Sequence, residues 1–174
     1  MKRKITGFTL IELLVVLVIA GILLAIGAPA VRGVFTSNRM ATHLNQLSTA
    51  LLYARSEAIK RVVPVAVGAS GTWAGGWNVW LDNITEDGIL DTNPPETIIR
   101  TGGATSTGIT LVGSTTAIVF QPDGTIKVPG VGATTIVPTA AITLTLCYSG
   151  QKPRILTIST TGRPQLGTGT TVCP

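Results

Sequence analysis

Gly7-Phe8-Thr9-Leu10-Ile11-Glu12 opens onto an apolar run from Leu13 to Val31, and the reading of that stretch decides the fold. Between Glu12 and Arg32 no side chain is ionisable. At about 1.5 Å per residue, a helix over that run covers roughly 28 Å, the hydrocarbon thickness of a bilayer. The run therefore predicts a membrane-spanning helix. A charge at the centre of such a helix costs on the order of 3 kcal/mol, so an acid in or beside the apolar zone faces a partner. Glu12, at the edge of the run, calls for a cation, and a nearby amine is the fitting one. An ordinary secretory signal is the competing reading, with Ala28-Pro29-Ala30 as a superficial cleavage site. Such signals, however, have an apolar core of only about 7 to 15 residues, and Pro29 is ill placed in a cleavage site.

Gly7 followed by Phe8-Thr9-Leu10-Ile11-Glu12, and preceded by Lys2, Arg3 and Lys4, resembles the class III leader of type IV pilins and type II secretion pseudopilins. The resemblance implies that a prepilin peptidase cuts between Gly7 and Phe8 and methylates the new N-terminus. It also implies that the apolar helix stays in the mature subunit. Glu12 would then pair with the Phe8 ammonium of a neighbouring subunit and set the register of assembly. The implied organisation is a leader over 1–7, a transmembrane and assembly helix over 8–31, an amphipathic helix over 32–62 and a β-rich head over 63–174. The implied partners are other major and minor pilins or pseudopilins, the prepilin peptidase, an inner-membrane assembly platform, and membrane lipid before assembly.

Charge gives the orientation. The chain has 174 residues, with 13 Lys and Arg against 8 Asp and Glu, a formal charge of +5; without Lys2, Arg3 and Lys4 it is +2. The basic cluster before the apolar run, set against Arg32 alone just beyond it, places the N-terminus in the cytoplasm and the head outside by the positive-inside rule. In a bacterium this is a single pass through the inner membrane with a periplasmic head. Beyond the membrane helix the chain suffices for one modest domain. Cys147 and Cys173 are the only cysteines, and in an exported head an even count reads as a disulfide. Two buried free thiols are the alternative, which the position of Cys173 next to the chain end disfavours.

Apolar spacing continues past Val31. Met40, Leu44, Leu47, Leu51, Ala54 and Ala58 recur every three or four residues, the mark of one buried helical stripe, and the charged residues between them take largely other faces. Gly27 and Pro29 at the junction predict a kink or local unwinding, because proline lacks an amide donor and clashes with the preceding turn. From Val62 onward, short β-branched runs between Gly, Pro, Asn and Ser predict antiparallel strands at 63–67, 77–81, 97–100, 110–112, 117–120, 125–128, 142–148 and 154–159. Gln121-Pro122-Asp123-Gly124 reads as a hairpin turn. The fold class is α+β, with the amphipathic helix half laid across one sheet face; the resemblance implies that this is a type IV pilin fold. Asp82 to Pro95 reads as a solvated polar connection; Asp82, Glu86, Asp87 and Asp91 invite a calcium reading, but their spacing fails the helix-loop-helix pattern. Gly102 to Gly108 and Gly130 to Thr135 read as mobile Gly/Thr-rich connections.

Further motifs, in order along the chain, resemble the subfamily shared by pseudopilin H and the FimT and FimU minor pilins. They are Ala54 to Arg61, the Trp73 to Trp80 segment, Phe120-Gln121-Pro122-Asp123-Gly124, Cys147 and Thr161-Gly162-Arg163. The resemblance implies a minor, structural subunit that initiates or caps the filament of a type IV pilus or type II secretion machine, in pilus assembly or protein secretion. Some FimT proteins bind DNA in natural transformation through Gly-Arg-x-Arg. Here the string is Gly162-Arg163-Pro164-Gln165, so only Gly162 and Arg163 carry over. Lys152, Arg154 and Arg163 form a basic patch for DNA only if the final hairpin gathers them. Trp73, Trp77 and Trp80 suggest a stacking platform, but Trp77 and Trp80 point to opposite faces of one strand, and core packing is the better reading. No catalytic dyad surrounds the single histidine, His43, and no phosphate-binding loop or metal cluster is visible, so no enzyme, metal or cofactor is expected.

Overall fold

The computed structural model describes residues 9–130 and 135–174, with the backbone alone at 26–32. By internal contacts the chain divides into two units, Met1–Ser37 and Asn38–Pro174. One α-helix, α1 (Leu10–Arg61), runs through the boundary between them. Its helical assignment passes Gly27 and Pro29 without the unwinding that the sequence predicts there. The first unit bears the described part of the apolar run. Its large side chains from Leu10 to Leu24, including Leu10, Leu14, Leu17 and Leu24, are all exposed. Among the described residues no helix is long and apolar enough to cross a membrane; the last residues of the run, 26–31, have no described side chains.

In the second unit, α1 buries one stripe, made of Met40, Leu44, Leu47, Ala50, Leu51, Ala54 and Ala58. The 3.6-residue period puts these on one face, and Arg39, Gln46 and Lys60 stay outside. Among the described residues ten strands follow: β1 (Val65–Ser70), β2 (Thr72–Leu81), β3 (Thr97–Gly102), β4 (Ile109–Gly113), β5 (Ala117–Phe120), β6 (Ile126–Pro129), β7 (Thr135–Ile136), β8 (Ile142–Tyr148), β9 (Arg154–Ile158) and β10 (Pro164–Thr168). They form two sheets, ordered β3-β2-β1-β5-β6-β7 and β10-β9-β8-β4, with antiparallel pairing throughout. β4 is the reason. It leaves its sequence neighbours β3 and β5 and pairs with β8, Leu111 opposite Leu146.

Both sheets and the helix stripe close one core, in which Val65, Val67, Trp77 and Phe120 of the larger sheet join Leu111, Leu144, Leu146 and Leu156 of the smaller. Strand periodicity gives the larger sheet a second buried layer on its other face, where Ala66, Trp80, Ala117 and Val119 pack with Leu90. Trp77 belongs to the first layer and Trp80 to the second, on opposite faces as expected. Trp73 joins the first, its Nε1–H donating to Thr115 O at 2.6 Å. It reaches the core because β2 bulges: Ala69 pairs with Trp77 while Ser70 pairs with Thr72, which puts Trp73 to Gly76 out of the ladder. All three indoles are buried, so no stacking platform forms.

The segment from Asp82 to Glu96 departs from the solvated loop expected, since Asp82, Asp87 and Glu96 are buried. No group of three or more His, Cys, Asp or Glu able to hold a metal ion occurs among the described residues. Of the connection read at Gly130 to Thr135, residues 131–134 lie outside the described residues, and Thr135 begins β7.

Candidate functional site

The chemistry the sequence assigns to the N-terminus centres on Gly7, Phe8 and Glu12. Gly7 and Phe8 lie outside the described residues. Glu12 is in the first turn of α1, exposed, and its backbone N–H donates to Thr9 Oγ1 at 3.3 Å. Thr9 also accepts from Leu13 N–H through its carbonyl, at 3.2 Å. Thr9 is therefore the N-cap of the helix, and Thr9-Leu10-Ile11-Glu12 has the residue spacing of a capping box. The sequence reading treats Thr9 only as part of the leader motif; the signal that would have identified it is Thr followed three residues later by Glu. The cap fixes the start of the helix, and Glu12 lies where a negative charge complements the helix dipole. Beyond it the helix presents only apolar side chains to its surroundings up to Leu24.

At the other end of the chain, Cys147 and Cys173 are joined, with their Cα atoms 5.7 Å apart. The tail is also held by backbone bonds, from Gly150 N–H to Cys173 O and from Cys173 N–H to Gln151 O. The last residues are thus tied to the turn after β8.

The three cations read as a DNA patch are not gathered. Arg154 begins β9 opposite Thr168, and Lys152 precedes it. Arg163 adjoins Pro164, which pairs with Ile158 at the other end of the hairpin, four residue steps away. At about 3.4 Å per residue this is roughly 14 Å along the strand. Arg154 Nη1 donates to Thr168 Oγ1 at 3.4 Å, and its side chain lines a cleft of about 220 Å³ with Ala41, Leu44, Asn45 and Leu166. Gly162 has φ 75° and an ideal Cβ there would meet Ile126 and Phe120 at 2.8 and 3.1 Å, so turn geometry and packing fully account for that glycine.

Buried carboxylates define a further feature. Asp82 Oδ2 accepts from Gly88 N–H at 3.1 Å. Glu96 accepts from Ile84 N–H at 3.4 Å and from Asp91 N–H at 3.1 Å. Burial, reinforced by the negative charge of Glu96, pushes the Asp82 carboxyl up to about 7. Burial likewise raises that of Glu96. Sequence reasoning passes over Glu96, because nothing in its sequence context sets it apart from a solvated glutamate. Asp123, in the β5–β6 turn, is shifted the other way by hydrogen bonds from the side chain and backbone of Thr125.

A long capped helix, apolar and uncovered through its first part and core-forming in its last, over antiparallel sheets, defines a type IV pilin-like subunit. Residues 43–162 match the family described as type II transport protein GspH, and residues 2–28 match the prokaryotic N-terminal methylation motif. The chain belongs to the GspH family, the minor pilins and pseudopilins of type IV pili and type II secretion machines. Its fold is similar to that of the type IV minor pilin FimU of Pseudomonas aeruginosa, at 23% identity and a TM-score of 0.56 over 76% of this chain and 90% of that one. It is also similar to the minor pseudopilin EpsH of the Type 2 Secretion System of Vibrio cholerae, at 12% identity and a TM-score of 0.52 over 75% and 97% of the two chains. No curated protein matches the chain. Members of this family are structural subunits, not enzymes.

Proposed function

We propose that the chain is a minor subunit that initiates or caps a filament, inserted by 8–31 in the bacterial inner membrane with its head in the periplasm. A prepilin peptidase removes 1–7 after Gly7 and methylates Phe8. The observation that carries this reading is the capped apolar helix with Glu12 in its first turn and every large side chain from Leu10 to Leu24 exposed. So much uncovered apolar surface needs lipid or other subunits around it. Glu12 is the one carboxylate positioned at the start of that surface, where a neighbouring subunit's freed Phe8 ammonium satisfies it during assembly. The likeness to FimU and EpsH, both minor subunits by description, supports a minor rather than a major subunit.

Glu12→Ala tests the assignment. The variant is expected to fractionate with the inner membrane like the parent while its crosslinking to neighbouring pilins or pseudopilins is lost. Normal incorporation into filaments would overturn the pairing.

A further inference from the structure

The loop from Asp82 to Glu96 covers the outer layer of the larger sheet: Leu90 packs on Trp80, Ala66, Ala117 and Val119, and an ideal Cβ on Gly88 would meet Val119 and Pro129. Much of what holds the loop is carboxylate. Three of its amides, those of Ile84, Gly88 and Asp91, donate to Asp82 or Glu96. Asp82 has no exposed surface, and its second oxygen, Oδ1, has no hydrogen-bond partner. In the same layer Trp80 Nε1–H is also without one. The charges facing Asp82 are Glu96, Asp87 and Glu86, all on the loop and all negative. The elements beneath contribute Val119 and Pro129 at Gly88, and the carbonyl of Pro64, which accepts from Asp82 N–H. None of these brings a positive charge, and neither Asp82 nor Glu96 has an ion-pair partner among the described residues. Glu86 itself holds φ 55°, a left-handed conformation that side chains disfavour.

A buried carboxylate with one bond, one bare oxygen and only acids around it is stable when it carries a proton and is driven toward water when it does not. We propose that Asp82 is a proton-operated latch: protonated, it lets the 82–96 loop close over Trp80 and Val119, and ionised, it releases the loop and uncovers that apolar face. The raised position of its carboxyl, at about 7 against 3.8 for a free aspartate, puts the change within the range an exported head meets.

Amide exchange of the full chain in detergent micelles tests this, with rates normalised to the intrinsic rate at each pH. Protection at Ile84, Gly88 and Asp91 is expected to fall by up to tenfold per pH unit between about 4 and 7 and then level off, while amides of β5 stay unchanged. In Asp82→Asn the slope is expected to shrink by more than half. In Glu96→Gln, which removes a neighbouring negative charge, levelling should begin at lower pH. Loop protection independent of pH in the parent chain, or an undiminished slope in Asp82→Asn, would overturn the latch. If Asp82→Asn does not fold, an unmoved plateau in Glu96→Gln overturns it equally.

Discussion

Val62 ends the long helix at φ 58°, its N–H donating to Ala58 O at 3.0 Å and its side chain largely exposed. A β-branched residue in that left-handed conformation costs about 1–2 kcal/mol, of which the greater flexibility of an unfolded glycine would offset part. Val62→Gly is therefore expected to stabilise the head by about 0.5 kcal/mol in chemical denaturation; a loss of stability would contradict the account of this cap. Asp82 makes a second prediction at this scale. Between about pH 4 and 7 the unfolded chain has ionised Asp82, whereas the native chain still holds its proton, so the native state binds more protons and stability falls as pH rises, levelling above about 7. Glu96 acts in the same direction. Asp123, lowered and exposed, acts oppositely, contributing above its ordinary pKa of 3.8 and losing that contribution as pH falls below it. Tm is expected to be higher at pH 5 than at pH 8, with the difference mostly gone in Asp82→Asn. An equal Tm at both pH values in the parent chain would contradict the burial of this carboxylate.

Packing of whole elements rests on a few contacts that leave no room for a larger side chain without a shift. Gly102 of β3 lies flat under the Trp77 ring, where an added Cβ would come within 2.0 Å of it. Gly102→Ala is expected to cost about 1–3 kcal/mol, read from the denaturation midpoint, as Trp77 is forced to shift. Removing the disulfide with Cys147→Ser is expected to cost about 3 kcal/mol on the chain-entropy account, the bridged residues being 26 apart, and to loosen the C-terminal tail first. A variant of unchanged stability would mean that the tail's backbone bonds suffice. The helix stripe, β5 and β8 are legible in the sequence with their boundaries nearly intact, because their apolar spacing and β-branched runs coincide with the buried positions. β10 is not. Pro164-Gln165-Leu166-Gly167-Thr168 is a poor strand by propensity, and it is a strand because β9 offers it an edge to pair with. β7, two residues long, is equally a product of its partner β6. The split into two sheets depends on where β4 pairs, a long-range choice that local pattern does not encode. The buried loop acids escape notice for the same reason: their burial is set by the sheet beneath them.

Over the whole molecule, one helix carries two surfaces of opposite fate. In the head its stripe is covered by both sheets, and toward the N-terminus its described large apolar side chains, from Leu10 to Leu24, are exposed. The family match assigns the chain to subunits that assemble, and in the function proposed above the exposed stretch is the surface on which assembly acts. The cap at Thr9 and the charge of Glu12 were both written in the leader motif, yet only the helix start shows that Thr9 closes the first turn. The central claim is that the apolar helix remains in the mature subunit, with processing confined to the residues before Phe8. Intact-mass and N-terminal fragment measurements on the subunit extracted from membranes or filaments test it most directly. The account predicts a chain that begins with methylated Phe8 and keeps the whole run to Val31; a chain that begins after Ala30 would contradict it.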